Sequence, residues 1–350
     1  MTTGNQRKYL ERIEVEALSD IAWRQALEQL EAFSFFATPE WGHILADSQL
    51  GFQSQALLFK GPGTEILLPI ATRPDRWGLN IYRSMPFGTY GGPLVVYGPR
   101  PVEHLPWARF ISQYLKDRRR FGYLSASPGP YAHLPLRGIC ITHTTHILDL
   151  QGEGDILAKA TRYQVRKAQR LGVTVSVDNS LESFREYYRM LEASAARWGL
   201  ARPGQPWSLF ESLARHADAE SVRLWVASAE GVPAAGALCF YGRGEVFYWS
   251  GAMRQELAYS RPNNLLHWNI VEDAAARGYR FYNMGASGDL AGVRQFKERL
   301  GAQPRCYSSY LVANSFYQVG YWLQHLYKRI AHRNSYWLQH LYKRIAHRNS

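Results

Sequence analysis

Hydrophobic positions along this chain change period repeatedly, and each change marks an element. Apolar side chains recur three and four apart from Ala22 to Ala32, behind Ser19 and Asp20, whose short polar side chains suit a helix N-terminus, so a helix is expected there. Thr38 followed by Pro39 opens a second helix through Trp41 to Leu45. From residue 55 the period falls to two. Gln55–Phe59 and Glu65–Ala71 flank a turn over Lys60–Thr64, the mark of a hairpin. A strand at Asn80–Ser84, a loop rich in glycine and proline over Pro86–Pro93, and a strand at Leu94–Tyr97 follow. A helix over about Val102–Arg120 and strands at Tyr123–Ser127 and Ile139–Leu150 complete the first half.

The second half repeats the theme with sharper periods. Helical spacing over Gly154–Leu171 gives way to alternation in Val173–Val177, then to helices over Leu181–Trp198 and Pro206–Ala217. Three strands follow at Val222–Ser228, Ala235–Tyr241 and Val246–Ala252, separated by the turns Glu230–Pro233 and Gly242–Glu245. Pro262 opens a helix to Ala276 that ends at Gly278. A strand over Tyr279–Met284, a helix over Asp289–Leu300 and a strand near Tyr307–Val312 close the pattern. Helices interleaved with mostly neighbouring strands predict an α/β (α+β) fold, with mixed, mostly antiparallel sheets flanked by helices.

Length adds that 350 residues suit two domains of ordinary size, expected at 1–150 and 151–315 with a tail over 316–350. No apolar run approaches the roughly 18 residues of a spanning helix, and the N-terminal segment lacks the apolar centre of a secretory signal, so a cytoplasmic chain is expected. Cys140, Cys239 and Cys306 are 99 and 67 residues apart, which fits neither a metal pair nor a disulfide framework. The formal charge is +12, yet its position matters more than its size. Residues 321–335, YWLQHLYKRIAHRNS, recur unchanged at 336–350, and the two copies together supply half of that charge. Within one copy Tyr321, Trp322, Leu323, Leu326, Tyr327 and Ile330 are helically spaced, with Lys328, Arg329 and Arg333 between or after them. Such a helix suits an anionic membrane surface, or packs its apolar stripe on the preceding domain.

Two segments carry candidate chemistry. Over residues 159–170, spacing by four aligns Arg162, Arg166 and Arg170 on one helix face, with Lys159 and Lys167 close by and no acid in the segment. Such a stripe suits phosphate, and equally a solvated helix face. Residues 283–301 pass from a strand through a glycine-rich turn into a helix. Gly285, Ser287 and Gly288 therefore lie at a helix N-terminus where free amides face an anion or a developing oxyanion, Asn283 opens the segment as a further candidate binding residue, and Lys297 follows inside the helix. The segment contains neither phosphate-loop nor dinucleotide fingerprint, and HExxH, GxSxG and paired CxxC motifs are absent from the chain. His143 and His146 lie three apart on an expected strand and point to opposite faces, which argues against a shared metal. Tyr248 likewise faces away from Phe247 and Trp249, toward a cleft or a core.

Four segments in this order resemble the FemAB-like branch of the GNAT superfamily, which holds the peptidyltransferases of peptidoglycan cross-bridges and the BioF2-like acyltransferases. They are FATPEW at 36–41, TRYQVRKAQRLGV at 161–173, YWSGA with YSRPNNLL at 248–266, and the stretch from Asn283 to Gly301 ending in FKERLG. The resemblance implies two tandem GNAT-like domains around one cleft and metal-independent transfer of an acyl or aminoacyl group to an amine. It implies a donor that is aminoacyl-tRNA or acyl-CoA, no permanently bound cofactor, and a lipid-linked or nucleotide-linked glycan precursor as acceptor. By the same resemblance Lys297 is the lysine near the reacting ester, and Tyr248 belongs to an aromatic strand lining the acceptor site. Arg202 falls where an arginine meets acceptor phosphate, and Arg162 and Arg166 lie on a basic helix joining the domains. The chain departs from the cross-bridge enzymes after Trp41, where they carry a lysine and it has Gly42, His43, Ile44 and Leu45.

The expected reaction is aminolysis of an activated acyl group. No histidine and carboxylate lie at a readable spacing to act as base; Asp289 and Glu298 are the nearest acids in sequence to the proposed centre. A rival reading keeps the fold and takes acyl-CoA to modify an amino sugar of a polysaccharide or lipid. A second rival is a nucleic-acid binder, which the halved charge of residues 1–320 and the lack of a recognised binding module disfavour; DNA is not an expected partner.

Overall fold

The computed structural model describes residues 12–74, 80–87, 89–98, 105–117, 121–126, 128, 136, 138–151, 159–218, 220–288 and 291–312; the tail expected at 316–350 lies outside them. The chain runs β1 (Glu14–Leu18), α1 (Asp20–Glu28), a 3-10 turn (Phe35–Ala37), α2 (Pro39–Asp47), β2 (Gln53–Gly61), β3 (Thr64–Pro74), β4 (Asn80–Ser84), β5 (Leu94–Tyr97), α3 (Leu105–Asp117), β6 (Phe121–Ser125) and β7 (Ile139–Asp149). It continues through α4 (Lys159–Arg170), β8 (Thr174–Val177), α5 (Leu181–Arg197), α6 (Trp207–His216), β9 (Val222–Ala229), β10 (Val232–Tyr241) and β11 (Glu245–Met253). After a second 3-10 turn (Gln255–Ser260) come α7 (Pro262–Ala276), β12 (Phe281–Ala286), α8 (Ala291–Arg299) and β13 (Gln303–Val312).

The caps read from sequence act as expected. Ser19 accepts from the Ala22 amide and Thr38 from the Trp41 amide, with Pro39 in the first turn of α2. Helix α1 stops at Glu28, short of Ala32, because Leu30 turns into the core and Phe33 forms a backbone bridge with Arg243. Strand β1 has no counterpart in the sequence reading. Its five residues include two glutamates and only half-bury Val15 and Leu18, too little alternation to stand out; pairing with β2 holds it.

The thirteen strands among the described residues join one continuous sheet in the order β1-β2-β3-β4-β6-β13-β7-β12-β11-β10-β9-β8, with β5 on β3. Pairs β4–β6 and β11–β12 are parallel, and the other pairs are antiparallel. The last strand therefore lies in the middle, between β6 and β7. It begins at Gln303, ahead of its apolar part, because pairing with β7 draws in the exposed residues Gln303 to Cys306.

One face of this sheet carries a single continuous core that spans both halves of the chain. Phe36 packs against Trp41, Phe240 and Phe247 at ring separations of 5.1, 4.9 and 5.1 Å, so the 3-10 turn and α2 seat on β10 and β11 from the other half of the chain. Polar clamps follow the same path: Ser212 Oγ donates to the Ile44 carbonyl at 2.8 Å and Arg215 Nε to Asp47 Oδ2 at 2.9 Å. The opposite face carries two separate cores. One lies beneath α4 and α7 on β8–β12, with Val165, Ile270, Tyr282 and Met284; the other lies beneath α3, with Trp107, Ile111, Phe59 and Tyr82. Between them Cys140, Thr142 and Thr144 of β7 and Cys306 of β13 are exposed, and the register sets Thr144 directly opposite Cys306. The strands thus leave an open polar strip between two roofed regions.

Candidate active site

The site forms where β12 leaves the sheet. Asn283 pairs with Ile147 of β7, but Ala286 pairs with Thr145, so the strand bulges by one residue between them. Gly285 sits in the bulge at φ +69°, a left-handed conformation that any side chain would strain. The bulge turns two carbonyls toward α8. Lys297, on that helix and only 2% exposed, donates from Nζ to the carbonyl oxygens of Gly285 at 2.9 Å and Ala286 at 3.1 Å. Two of the three N–H donors of an ammonium are so engaged. Burial disfavours its charge and brings the amine down to about 8 from an ordinary 10.5.

Asn283 locks the bulge from beneath. Its Oδ1 accepts from Thr145 Oγ1 at 2.7 Å and from the Gly285 amide at 3.0 Å, while Nδ2 donates to Glu245 Oε2 at 3.0 Å. Burial raises the Glu245 carboxyl above its ordinary range, and the Asn283 hydrogen bond opposes that rise. Asn283 is fully buried and its amide is engaged internally, so it acts on a ligand only through the turn it holds. Ser287, also buried, has an Oγ without a hydrogen-bond partner among the described residues.

Tyr248 reaches the same neighbourhood from β11. Its ring meets His267 of α7 edge-on at 4.8 Å, and His267 meets Phe296, the residue before Lys297, at 5.2 Å. A Cβ on Gly251 would lie 2.0 Å from the Tyr248 hydroxyl, so only glycine lets this tyrosine fold back along its own strand. His267 shares a 2.7 Å hydrogen bond through Nδ1 with the Tyr282 hydroxyl. Burial first, and then the Lys297 charge, lower His267 to about 3, so its imidazole is neutral. Phe247 and Trp249 enter the aromatic core on the other face, in keeping with the alternation in sequence.

Strand β7 contributes a residue whose sequence position suggests only a metal ligand. His146 is 2% exposed, and its Nε2 lies 3.7 Å from Glu298 Oε1 on α8, beyond hydrogen-bond range. Neither ring nitrogen has a hydrogen-bond partner among the described residues. Burial, then the charge of Lys297, holds its pKa below the ordinary 6.5 against the pull of Glu298. His143 points the other way and stacks on Tyr307 at 5.0 Å. His146 and Glu298 are 152 residues apart in sequence, so no local motif could have joined them; only the β7–β12 pairing and the seat of α8 do.

The arginines spread more widely. The first turn of α4 abuts the end of α8, where Thr161 Oγ1 donates to the Arg299 carbonyl at 2.8 Å. Arg162, the next residue, is half-buried, and Arg166 is exposed one turn further on. Arg202 is exposed on the connection between α5 and α6, where its charge acts on Tyr188, and none of the contacts around Lys297 includes it. Among the described residues no group of histidine, cysteine, aspartate and glutamate is arranged to hold a metal ion, and no helix is long and apolar enough to cross a membrane.

Comparison with known proteins singles out the same region. Residues 157–298 match the family model of the acetyltransferase (GNAT) domain. No curated protein matches the chain. Among solved structures, FemX is similar at a TM-score of 0.64, covering 87% of this chain and 99% of its own at 12% identity. A conserved protein of unknown function from Bacteroides thetaiotaomicron VPI-5482 gives 0.53, with 85% and 99% covered at 9% identity. L-PGS from Bacillus licheniformis gives 0.49, with 84% and 92% covered at 17% identity. At these identities the likeness to the first two is one of fold.

Proposed function

We propose that the chain is an acyltransferase of the GNAT superfamily, whose domain model its residues 157–298 match, and that it transfers an acyl or aminoacyl group to an amine of a cell-envelope precursor. The observation that carries this reading is the buried ammonium of Lys297 at the exit of β12. In an aminolysis the acceptor nitrogen forms the new C–N bond, the donor carbonyl becomes an oxyanion, and the leaving group departs with a proton. An ammonium held in a dry site, with a third donor beyond those fixed on Gly285 and Ala286, suits that oxyanion or an adjoining phosphate. Ser287 adds a hydroxyl at the same turn, and Gly285 provides the backbone shape that the turn needs. Tyr248 lines the acceptor side, Arg162 and Arg166 contact donor or acceptor phosphate, and Arg202 serves the acceptor from further out.

The sequence resemblance to cross-bridge enzymes and the FemX-like fold favour a glycan precursor, lipid-linked or nucleotide-linked, with aminoacyl-tRNA as donor, at the inner face of the plasma membrane. The GNAT domain at 157–298 favours the second reading, in which acyl-CoA is the donor and an amino sugar the acceptor. In either case residues 1–150 and 151–315 are the two units that share the work.

The test uses the whole chain with labelled alanyl-tRNA or acetyl-CoA and a lipid-linked muramyl pentapeptide. Lys297→Met is expected to lower turnover by about tenfold or more while circular dichroism keeps its native form. Turnover at the wild-type rate in that variant overturns the assignment.

A further inference from the structure

Aminolysis needs a base, because an acceptor amine at neutral pH arrives as an ammonium ion. We propose that His146, positioned by Glu298, takes the proton from that ammonium; the inference rests on the acyl-transfer reading above and adds its missing group.

Three observations converge. The first is proximity: His146 faces α8, with Glu298 at 3.7 Å and Lys297 close enough for its charge to act on the ring. A carboxylate beside one nitrogen and a reacting centre beside a lysine are the two neighbours a catalytic imidazole requires. The second is an unmet need. An imidazole that is 97% buried with neither nitrogen hydrogen-bonded forfeits the contacts it had in water, a cost that native interiors avoid unless a ligand supplies the partner. His267, on which the Lys297 charge also acts, shows the contrast, because its Nδ1 is satisfied by Tyr282.

The third is access. Alternation on β7 sets Cys140, Thr142, Thr144 and His146 on one face, and the first three are exposed. The open strip therefore ends at His146, where an extended acceptor lying along β7 and β13 would bring its amine. The charged groups facing the ring come from α8 and are Lys297, Glu298 and Arg294, while β13 presents the uncharged Pro304 opposite it.

The chemistry balances. Neutral His146 accepts one proton from R–NH3+ and becomes imidazolium. The freed lone pair forms the C–N bond, and the tetrahedral adduct collapses with the C–O or C–S bond broken. The second nitrogen proton leaves with the expelled alkoxide or thiolate, and the imidazolium returns its proton to water past the half-exposed Glu298.

The experiment measures transfer from alanyl-tRNA or acetyl-CoA to the muramyl pentapeptide across pH 5–9. His146→Gln is expected to lower kcat/KM by about 10²–10⁴ and to abolish the acidic limb of the profile. His146→Ala is expected to regain activity with added imidazole, which a purely structural histidine would not allow. Glu298→Gln, at the exposed positioning residue, moves the acidic limb to lower pH because the group that favours imidazolium is gone. A wild-type rate and limb in His146→Gln overturn the proposal and leave the acyl-transfer reading standing. If His146→Gln fails to fold, an unmoved limb in Glu298→Gln overturns it instead. A wild-type chain that transfers nothing from either donor overturns both.

Discussion

The two faces of the sheet are built on different terms. On one, Phe36, Trp41, Phe240 and Phe247 meet ring to ring and fasten the first half of the chain to the second without a gap. On the other, the roofs stop short of each other, a strip of threonine and cysteine stays wet, and ionisable groups are buried at its end. The packing that joins the halves lies on one side of these strands, and the proposed site lies on the other. A strand such as β11 serves both at once, sending Phe247 and Trp249 one way and Tyr248 the other.

The largest effect separating the faces is expected at Phe36. Phe36→Ala removes a fully buried ring that touches both halves and should cost about 3–5 kcal/mol in urea unfolding. A loss under about 1 kcal/mol would mean that the aromatic face does not hold the halves together.

Asn283 comes next, because it joins the faces through the sheet. Asn283→Ala leaves Thr145, Glu245 and the Gly285 amide without their shared partner, at a cost of about 1–3 kcal/mol. Transfer should fall more than stability does, since the bulge that presents Gly285 to Lys297 depends on that amide. A variant with native stability and native turnover would remove Asn283 from the account of the turn.

The last effect is spread over pH as a slope. His267 stays neutral in the fold down to about pH 3, whereas in the unfolded chain it takes up a proton near 6.5. Between those values the unfolded state binds more protons, so stability falls as pH falls, by more than about 1 kcal/mol per pH unit. His146, shifted in the same direction, adds to the loss. His267→Gln is expected to flatten the dependence measured by unfolding at pH 6.5 to 4, and an unchanged slope would place its origin elsewhere.

Much of this fold is legible in the chain because it is local. Ser19 and Thr38 cap α1 and α2, and Ser180 caps α5. Pro262 starts α7, and alternation marks β9 to β11. Alternation also divides His143 from His146 and Tyr248 from its neighbours. Lys297 and the Gly285 turn stand out because strand, glycine and helix follow within a few residues. What escaped is non-local. The His146–Glu298 pair depends on which strands adjoin, Glu245 meets Asn283 only across β11 and β12, and β1 is too short and too acidic to announce itself. Asn283 reads as a ligand contact in sequence, since nothing local reveals that three internal partners already occupy its amide.

The central seat of β13 bears on how the protein is made. Because this strand pairs with both β6 and β7, a nascent chain halted before residue 303 carries two unjoined sheets, each with a raw edge that invites association with other chains. The floor beside His146 is likewise half built until β13 docks. Translation must therefore pass almost the whole described chain before the sheet closes around the proposed site.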